Sequence, residues 1–332
     1  MREVVGGGME RRSVLGAGAV LGAVMVVRPQ AAWAADEPGR PPSDAELAAA
    51  HALFEAGAYD RLARRLPLLL AGAERGVDTG PGGAARAAGV WVLASQLAVK
   101  QGRTGAAGTY VGQAGAAARR SGDALVLAAA ARAAATPLRR TGRTGQALDL
   151  LQEALAHLTA GPRPGAAELD AAGMAALTAS YTAAQAHLAT AAHDFADEAE
   201  HTALRLARLP HPAGRSCQLT ADQCALYRIG IHRHLGDIDT ALAHARRLNP
   251  GRLPTAERRA RAATDTARTL LDAGDTTGAF AQLRLVEDAA PAEACRPSVR
   301  ALTVRIAEHR PGLPGLAAYA RRTAAGTNTL SR

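Results

Sequence analysis

Lysine is all but missing from this 332-residue chain: Lys100 is the only one, so 38 of the 39 basic residues are arginine. Aromatic residues are nearly as scarce, at 3%. A net charge of +9 and a pI near 10.4 invite a nucleic-acid reading, but arginines without interleaved aromatics build no stacking platform for bases. The arginines are also dispersed, several as pairs (Arg64-Arg65, Arg119-Arg120, Arg139-Arg140, Arg246-Arg247) where helices are expected to end and cations complement the helix dipole. Direct nucleic-acid binding is therefore not expected. The arginine-for-lysine habit, with abundant Ala and Gly, looks like that of a GC-rich genome of actinobacterial type. The three cysteines, Cys217, Cys224 and Cys295, lack the second close pair that a structural zinc site needs. They read as small buried hydrophobes or, in an exported chain, as one unassigned disulfide plus a thiol. Alternation of β-branched or aromatic residues with polar ones is nearly absent, so strands have no support.

Catalytic signatures are missing too. Lys100 is followed by Gln101, which excludes a phosphate-binding Walker loop. There is no Gly-x-Ser-x-Gly elbow and no His-Glu-x-x-His zinc motif. Gly16-Ala17-Gly18 with Gly22 has neither the spacing nor the preceding strand of a dinucleotide loop. His232 and His234 lie about 200° apart around a helix and cannot share a metal. His234 and Asp237 can face alike, but two ligands do not make a site. Asp194, Asp197, Glu198 and Glu200 crowd one expected helix start, where the dipole favours acids, instead of facing each other across a cleft. No catalytic residue, cofactor or metal is expected, and the chain reads as non-enzymatic.

What the sequence does contain is a turn used repeatedly. Gly102-Arg103-Thr104-Gly105 recurs 40 positions later as Gly142-Arg143-Thr144-Gly145, each copy lying between two runs of helical periodicity. A glycine there supplies the left-handed backbone that ends one helix, and a short loop returns the next antiparallel. Turns of the same kind are expected at Gly57, Gly236-Asp237 and Gly274-Asp275, with a degenerate one near Ala191 and Ala192. Ser43 and Glu46 form a capping-box pattern that opens the first helix, and Thr220 with Gln223 repeats the pattern. Leu148, Leu151, Leu155 and Leu158 lay one apolar stripe along a helix. The expectation is an all-α solenoid over 43–325: about six helical hairpins closed by a C-terminal capping helix pair.

Residues 1–34 stand apart. Arg11 and Arg12 precede an apolar run over 14–27, and Ala32-Trp33-Ala34 supplies an A-x-A cleavage pattern. That run of 14 residues is shorter than the roughly 20 needed to span a bilayer. The paired arginines resemble a twin-arginine export signal, with Val14 where that pattern usually carries Phe. The expected organisation is a leader over 1–34, a Pro-rich tether over 35–42, the solenoid over 43–325 and a disordered tail over 326–332. It leaves no membrane span after processing.

The hairpin pattern resembles the tetratricopeptide repeat, best in Leu271-Asp272-Ala273-Gly274-Asp275 and His234-Leu235-Gly236-Asp237, although the turn spacing exceeds the usual repeat of roughly 34 residues. More of the chain is similar to the C-terminal tetratricopeptide-like region of actinobacterial regulators that begin with an XRE-type DNA-binding helix-turn-helix. Phe54-Glu55-Ala56-Gly57-Ala58-Tyr59, Ala94-Ser95-Gln96-Leu97, Arg247-Leu248-Asn249-Pro250-Gly251 and Pro314-Gly315-Leu316-Ala317-Ala318-Tyr319 carry the likeness. The resemblance implies a sensor of a peptide, ligand or partner. Here an export-like leader stands where such regulators carry the DNA-binding domain. The expected function is therefore protein or peptide binding by an exported chain. The alternative is a cytoplasmic regulatory arm whose DNA-binding domain is absent from this chain. In the expected groove, Gln223, Tyr227 and Arg228 present an amide, a phenol and a guanidinium to a ligand; the competing reading makes Tyr227 core and Arg228 solvated.

Overall fold

A computed structural model of the chain describes residues 39–161, 163–209 and 217–325. The leader residues Arg11, Arg12, Ala32 and Ala34, and the tail over 326–332, lie outside these. Within the described residues the chain is all-α. The hairpins are α1 (Asp44–Glu55) with α2 (Tyr59–Gly76), α3 (Pro81–Lys100) with α4 (Thr104–Ser121), and α5 (Ala124–Arg140) with α6 (Thr144–Thr159). Next come α7 (Ala166–Gln185) with α8 (Ala189–Leu206), α9 (Ala221–His234) with α10 (Ile238–Arg247), and α11 (Ala256–Asp272) with α12 (Thr276–Ala289). A short α13 (Pro291–Ala294) leads into the final pair, α14 (Pro297–His309) and α15 (Leu316–Ala325). No described helix is long and apolar enough to cross a membrane.

One backbone motif makes every hairpin. At the second, Gly102 takes φ +77° and its N–H bonds Val99 O, while Arg103 N–H reaches back to Ala98 O at 2.8 Å. These bonds satisfy carbonyls that the ending helix leaves orphaned. The same geometry recurs at Gly57, Gly142, Gly236 and Gly274. In the last two, the following aspartate also starts the next helix: Asp237 accepts from Thr240 N–H, and Asp275 accepts from Gly278 N–H at 2.7 Å. The fourth turn falls at His187, not at Ala191 and Ala192, which already lie in α8. His187 takes φ +58°, and Leu188 N–H bonds Ala183 O at 3.0 Å. The motif survives there without its glycine, which is why sequence misplaces it.

Packing follows from small residues on the first helices of several hairpins. α5 buries Ala128, Ala131, Ala134 and Ala135, and α7 buries Ala172, Ala175, Ala179 and Ala183. Alanine lets neighbouring helices approach closely while keeping strong helix propensity. The core is accordingly a series of clusters passed from hairpin to hairpin; Leu151 and Leu158 of the predicted stripe are buried, while Leu148 and Leu155 pack from its edge. This is solenoid packing.

The solenoid closes on itself. First helices α1, α3, α5, α7, α9 and α11 form an inner layer in which each touches the next, and α11 returns to touch α1. The second helices, α2 to α12, lie outside. The closure is fastened by Lys100 at the end of α3, whose Nζ sits 2.5 Å from Glu257 Oε1 on α11 and 2.7 Å from Glu293 Oε1 on α13. Tyr59 of α2 donates its hydroxyl to Glu293, and Arg296 braces that carboxylate at 2.6 Å. Burial works against charge on both carboxylates. Lys100 and Arg258 nonetheless hold Glu257 well below the ordinary carboxylate range, and Arg296 and Lys100 do the same for Glu293.

Candidate functional site

The inner ring lines an open cavity of about 720 Å³. Each inner helix contributes a stripe to its wall at helical steps. On α5 the stripe is Arg132, Thr136 and Arg139; on α7 it is Thr178, Tyr181 and Gln185; on α11 it is Arg258, Arg261, Asp265 and Arg268. On α9 it is Gln223, Tyr227 and His234, and between the last two Gly230 makes room for a neighbour. A Cβ on Gly230 would come within 2.5 Å of the Tyr181 ring, so the bare backbone lets that ring lie against α9.

Tyr181 is the hub of the wall. Its ring meets Tyr227 edge-on at 6.3 Å and His234 edge-on at 5.1 Å, and His234 Nε2 lies 3.0 Å from its hydroxyl. Burial and the nearby Arg233 charge hold His234 down to about 4, so its imidazole is neutral at pH 7. The guanidinium of Arg261 stacks on Tyr227 at 4.2 Å and stands 5.6 Å from Tyr181, with Arg139 over the same ring at 5.4 Å.

The wall is strongly cationic. Eight arginines and Lys100 line it, against Glu55, Glu257 and Asp265. Asp265 serves both Arg268 at 2.8 Å and Arg261 at 3.5 Å, and Glu257 serves Lys100 and Arg258. Arg233 and Arg296 find carboxylates behind the wall, Asp272 at 2.6 Å and Glu293. On α5 there is no such partner. Arg139 donates only to the hydroxyls of Thr182 and Thr136. Arg132 has no ion pair among the described residues, and its buried Nε has no hydrogen-bond partner. Burial lowers the pKa of Arg132 and Arg258 and Arg261 add to that, while Tyr227 and Asp170 pull the other way. Tyr227 shows the other side of the same field. Burial opposes its ionisation, but Arg261, Arg258 and Arg132 together bring the phenol down to about 7.

Gln223 completes the site. It is fully buried, yet neither its Oε1 nor its Nε2 has a hydrogen-bond partner. The capping-box pattern predicts that its side chain reaches back to the start of α9. Only half of that box forms: Thr220 accepts from Gln223 N–H at 3.1 Å, while the amide side chain turns to the cavity.

Of the three residues singled out from sequence, the structure brings Gln223 and Tyr227 together in this wall and places Arg228 elsewhere. Arg228 faces outward to α8, bound to Asp197 and, at 2.7 Å, to Glu200. Those two acids, read from sequence as a helix-start cluster, are its counter-charges. His232 likewise turns away from the cavity, stacking on His244 at 5.3 Å, while His234 turns in. No group of described residues is arranged to hold a metal ion. Cys224 is buried and Cys295 half-buried, and both are free thiols. Sequence reasoning missed Arg132, Arg139, Arg258 and Arg261. Their signal was present as arginine at helical spacing inside first helices otherwise built from alanine. Arg139, read as half of a helix-end pair, in fact reaches into the cavity beneath Tyr181.

No family profile matches the chain, and no curated protein matches it. Among solved structures it is similar to a chain of one described as "Crystal structure of APC/C hetero-tetramer Cut9-Hcn1", with 9% identity and a TM-score of 0.39. The likeness covers 85% of this chain and 56% of that one, so this chain spans little more than half of its length. A likeness of that order carries no functional statement.

Proposed function

We propose that the chain is a non-enzymatic, tetratricopeptide-like binding protein that takes a peptide segment of a partner into the cavity of its closed solenoid, and that it works after export by the twin-arginine route. One observation carries the binding reading: a fully buried glutamine, Gln223, keeps both amide atoms unpartnered at the wall of the central cavity. A buried amide without partners loses the full hydrogen-bonding free energy of its groups. Its carboxamide offers one acceptor beside one donor, the complement of the C=O and N–H of an extended peptide. Cations, phenols and amides of this kind suit recognition, and no nucleophile is paired with a base beside them.

Selection of a displayed random-peptide library on the full chain tests this, with Gln223→Leu as counter-target. Enrichment of peptides that bind the parent chain and not the variant supports the reading; recovery of only those that bind both overturns it. Export is tested by the intact mass of the endogenous protein in cell and extracellular fractions. A chain beginning at Ala35 outside the cell supports it. A cytoplasmic chain that retains Met1 would favour the regulatory-arm alternative.

A further inference from the structure

We propose that the cavity is selective for an acidic peptide segment, whose carboxylates seat on Arg132 of α5 and on Arg258 and Arg261 of α11 while Gln223 pairs with the adjoining peptide unit. This rests on the reading of the cavity as a peptide site and names the chemistry of its occupant.

Three features point to a negative ligand. The first is charge number: nine cationic side chains face three wall carboxylates and, behind the wall, Asp272 and Glu293, and several of those carboxylates are each divided between two cations. The second is Arg132. Arg228 has carboxylate partners in Asp197 and Glu200, Arg296 has one in Glu293 although its own Nε is also unpartnered, and Arg139 meets two hydroxyls. Arg132 has neither: no carboxylate or hydroxyl pairs with it among the described residues, Asp170 and Tyr227 act on its charge only at longer range, and its sealed Nε has no hydrogen-bond partner. A buried guanidinium without an anion is destabilising, and its planar fork matches a carboxylate bidentately. The third is Tyr227, a phenol that lies under Arg261 at 4.2 Å and whose ionisation that arginine favours. Ionisation of that phenol offsets part of the surplus positive charge, a role an incoming carboxylate would take over.

A peptide fits better than a bare anion because the site is not purely cationic. Gln223 is fully buried between Arg132's neighbour Tyr227 and the start of α9, and its amide has no use for a simple anion beyond a single N–H. The Tyr181 and Tyr227 rings and the methyl groups of Ala129 and Ala133 add apolar wall for the stem of a glutamate or its neighbours.

The test is a positional-scanning octapeptide library, read by fluorescence anisotropy on the full chain at low and high salt. Pools fixed as Glu or Asp are expected to bind about tenfold or more tightly than the matched Gln or Asn pools, the scale of a hydrogen bond to a charged group. Their affinity is expected to fall with salt. Arg132→Met is expected to remove that preference while leaving the chain folded, with a thermal midpoint equal to or above the parent's, because it deletes an unpaired buried cation. Arg132→Lys, which keeps the charge and loses the fork, should retain part of it. If neutral or basic pools bind as tightly as acidic ones, the acidic assignment is wrong while the peptide reading stands. If no pool binds but citrate or inorganic phosphate does, and Arg132→Met abolishes this, the site takes small anions and both readings fail. If no pool and no anion binds, both also fail.

Discussion

Replacing Lys100 with methionine should open the closed solenoid. The substitution keeps most of the aliphatic stem and removes the charge, so packing changes little and the electrostatics change completely. In the parent chain the ammonium is 9% exposed and bridges Glu257 at 2.5 Å and Glu293 at 2.7 Å, two carboxylates separated from it by more than 150 positions in sequence. It also lies 5.5 Å from the Phe54 ring and 5.9 Å from that of Tyr59. Without Lys100, Glu257 keeps Arg258 at 3.5 Å and Glu293 keeps Arg296 at 2.6 Å, so neither is left wholly bare. Breaking a buried pair by removing one member costs about 3–5 kcal/mol, and the surviving arginines place the loss near the lower end, about 3 kcal/mol. Urea denaturation of the two proteins measures this. The loss should depend on pH in one direction. Both carboxylates are held below their unfolded values, so their contribution is complete above about pH 5 and fades as pH falls through the carboxylate range. The gap between parent and variant is therefore wide at pH 7 and closes in acid. Adding Glu293→Gln to Lys100→Met should recover part of the loss, since it removes a buried charge. A change at pH 7 of less than about 1 kcal/mol, the value of an exposed pair, would refute the reasoning.

Three further outcomes follow from single residues. His187→Val should lower stability by about 1–2 kcal/mol in urea, because a β-branched residue cannot hold φ +58°, whereas His187→Gly should be neutral or slightly stabilising. Gly230→Ala should cost about 1–3 kcal/mol by pushing its Cβ into the Tyr181 ring, and Tyr181→Leu in the same chain should relieve most of that. The phenol of Tyr227 is depressed to about 7, so it contributes stability that grows as pH rises from about 7 towards the unfolded tyrosine value near 10 and is lost below 7. The thermal midpoint of the parent relative to Tyr227→Phe should rise across that window, and a flat difference would show that the three arginines do not act on the phenol.

The hairpins were legible because their determinants are local. The Gly102 and Gly142 turns, the Ser43–Glu46 box and the Gly-Asp pairs each span a few residues, and each forms its own hydrogen bonds whatever the rest of the chain does. Closure of the ring was not legible, since nothing near Lys100 announces Glu257 or Glu293. That contact depends on the small rotation added at each hairpin, which no local pattern encodes. The same limit divided the candidate residues. Helical spacing allowed Gln223, Tyr227 and Arg228 one broad face, but Asp197 and Glu200 on the neighbouring α8 draw Arg228 outward while Gln223 and Tyr227 turn in. Arg132 was passed over because arginine in an alanine-rich helix reads as a solvated face until the helix is known to be an inner one, and Arg139 because an arginine pair at a helix end reads as a complement to the dipole.

The proposed ligand is an anionic peptide held in the cavity against Arg132, Arg258 and Arg261. The most direct measurement is phenolate absorbance near 295 nm at pH 8, followed while an acidic octapeptide from the library is titrated into the full chain. Seating a carboxylate beside those arginines takes up the charge that ionises Tyr227, so absorbance should fall in a saturable way and Tyr227→Phe should show no such change. Binding by anisotropy with unaltered absorbance would place the peptide outside the cavity and contradict the claim.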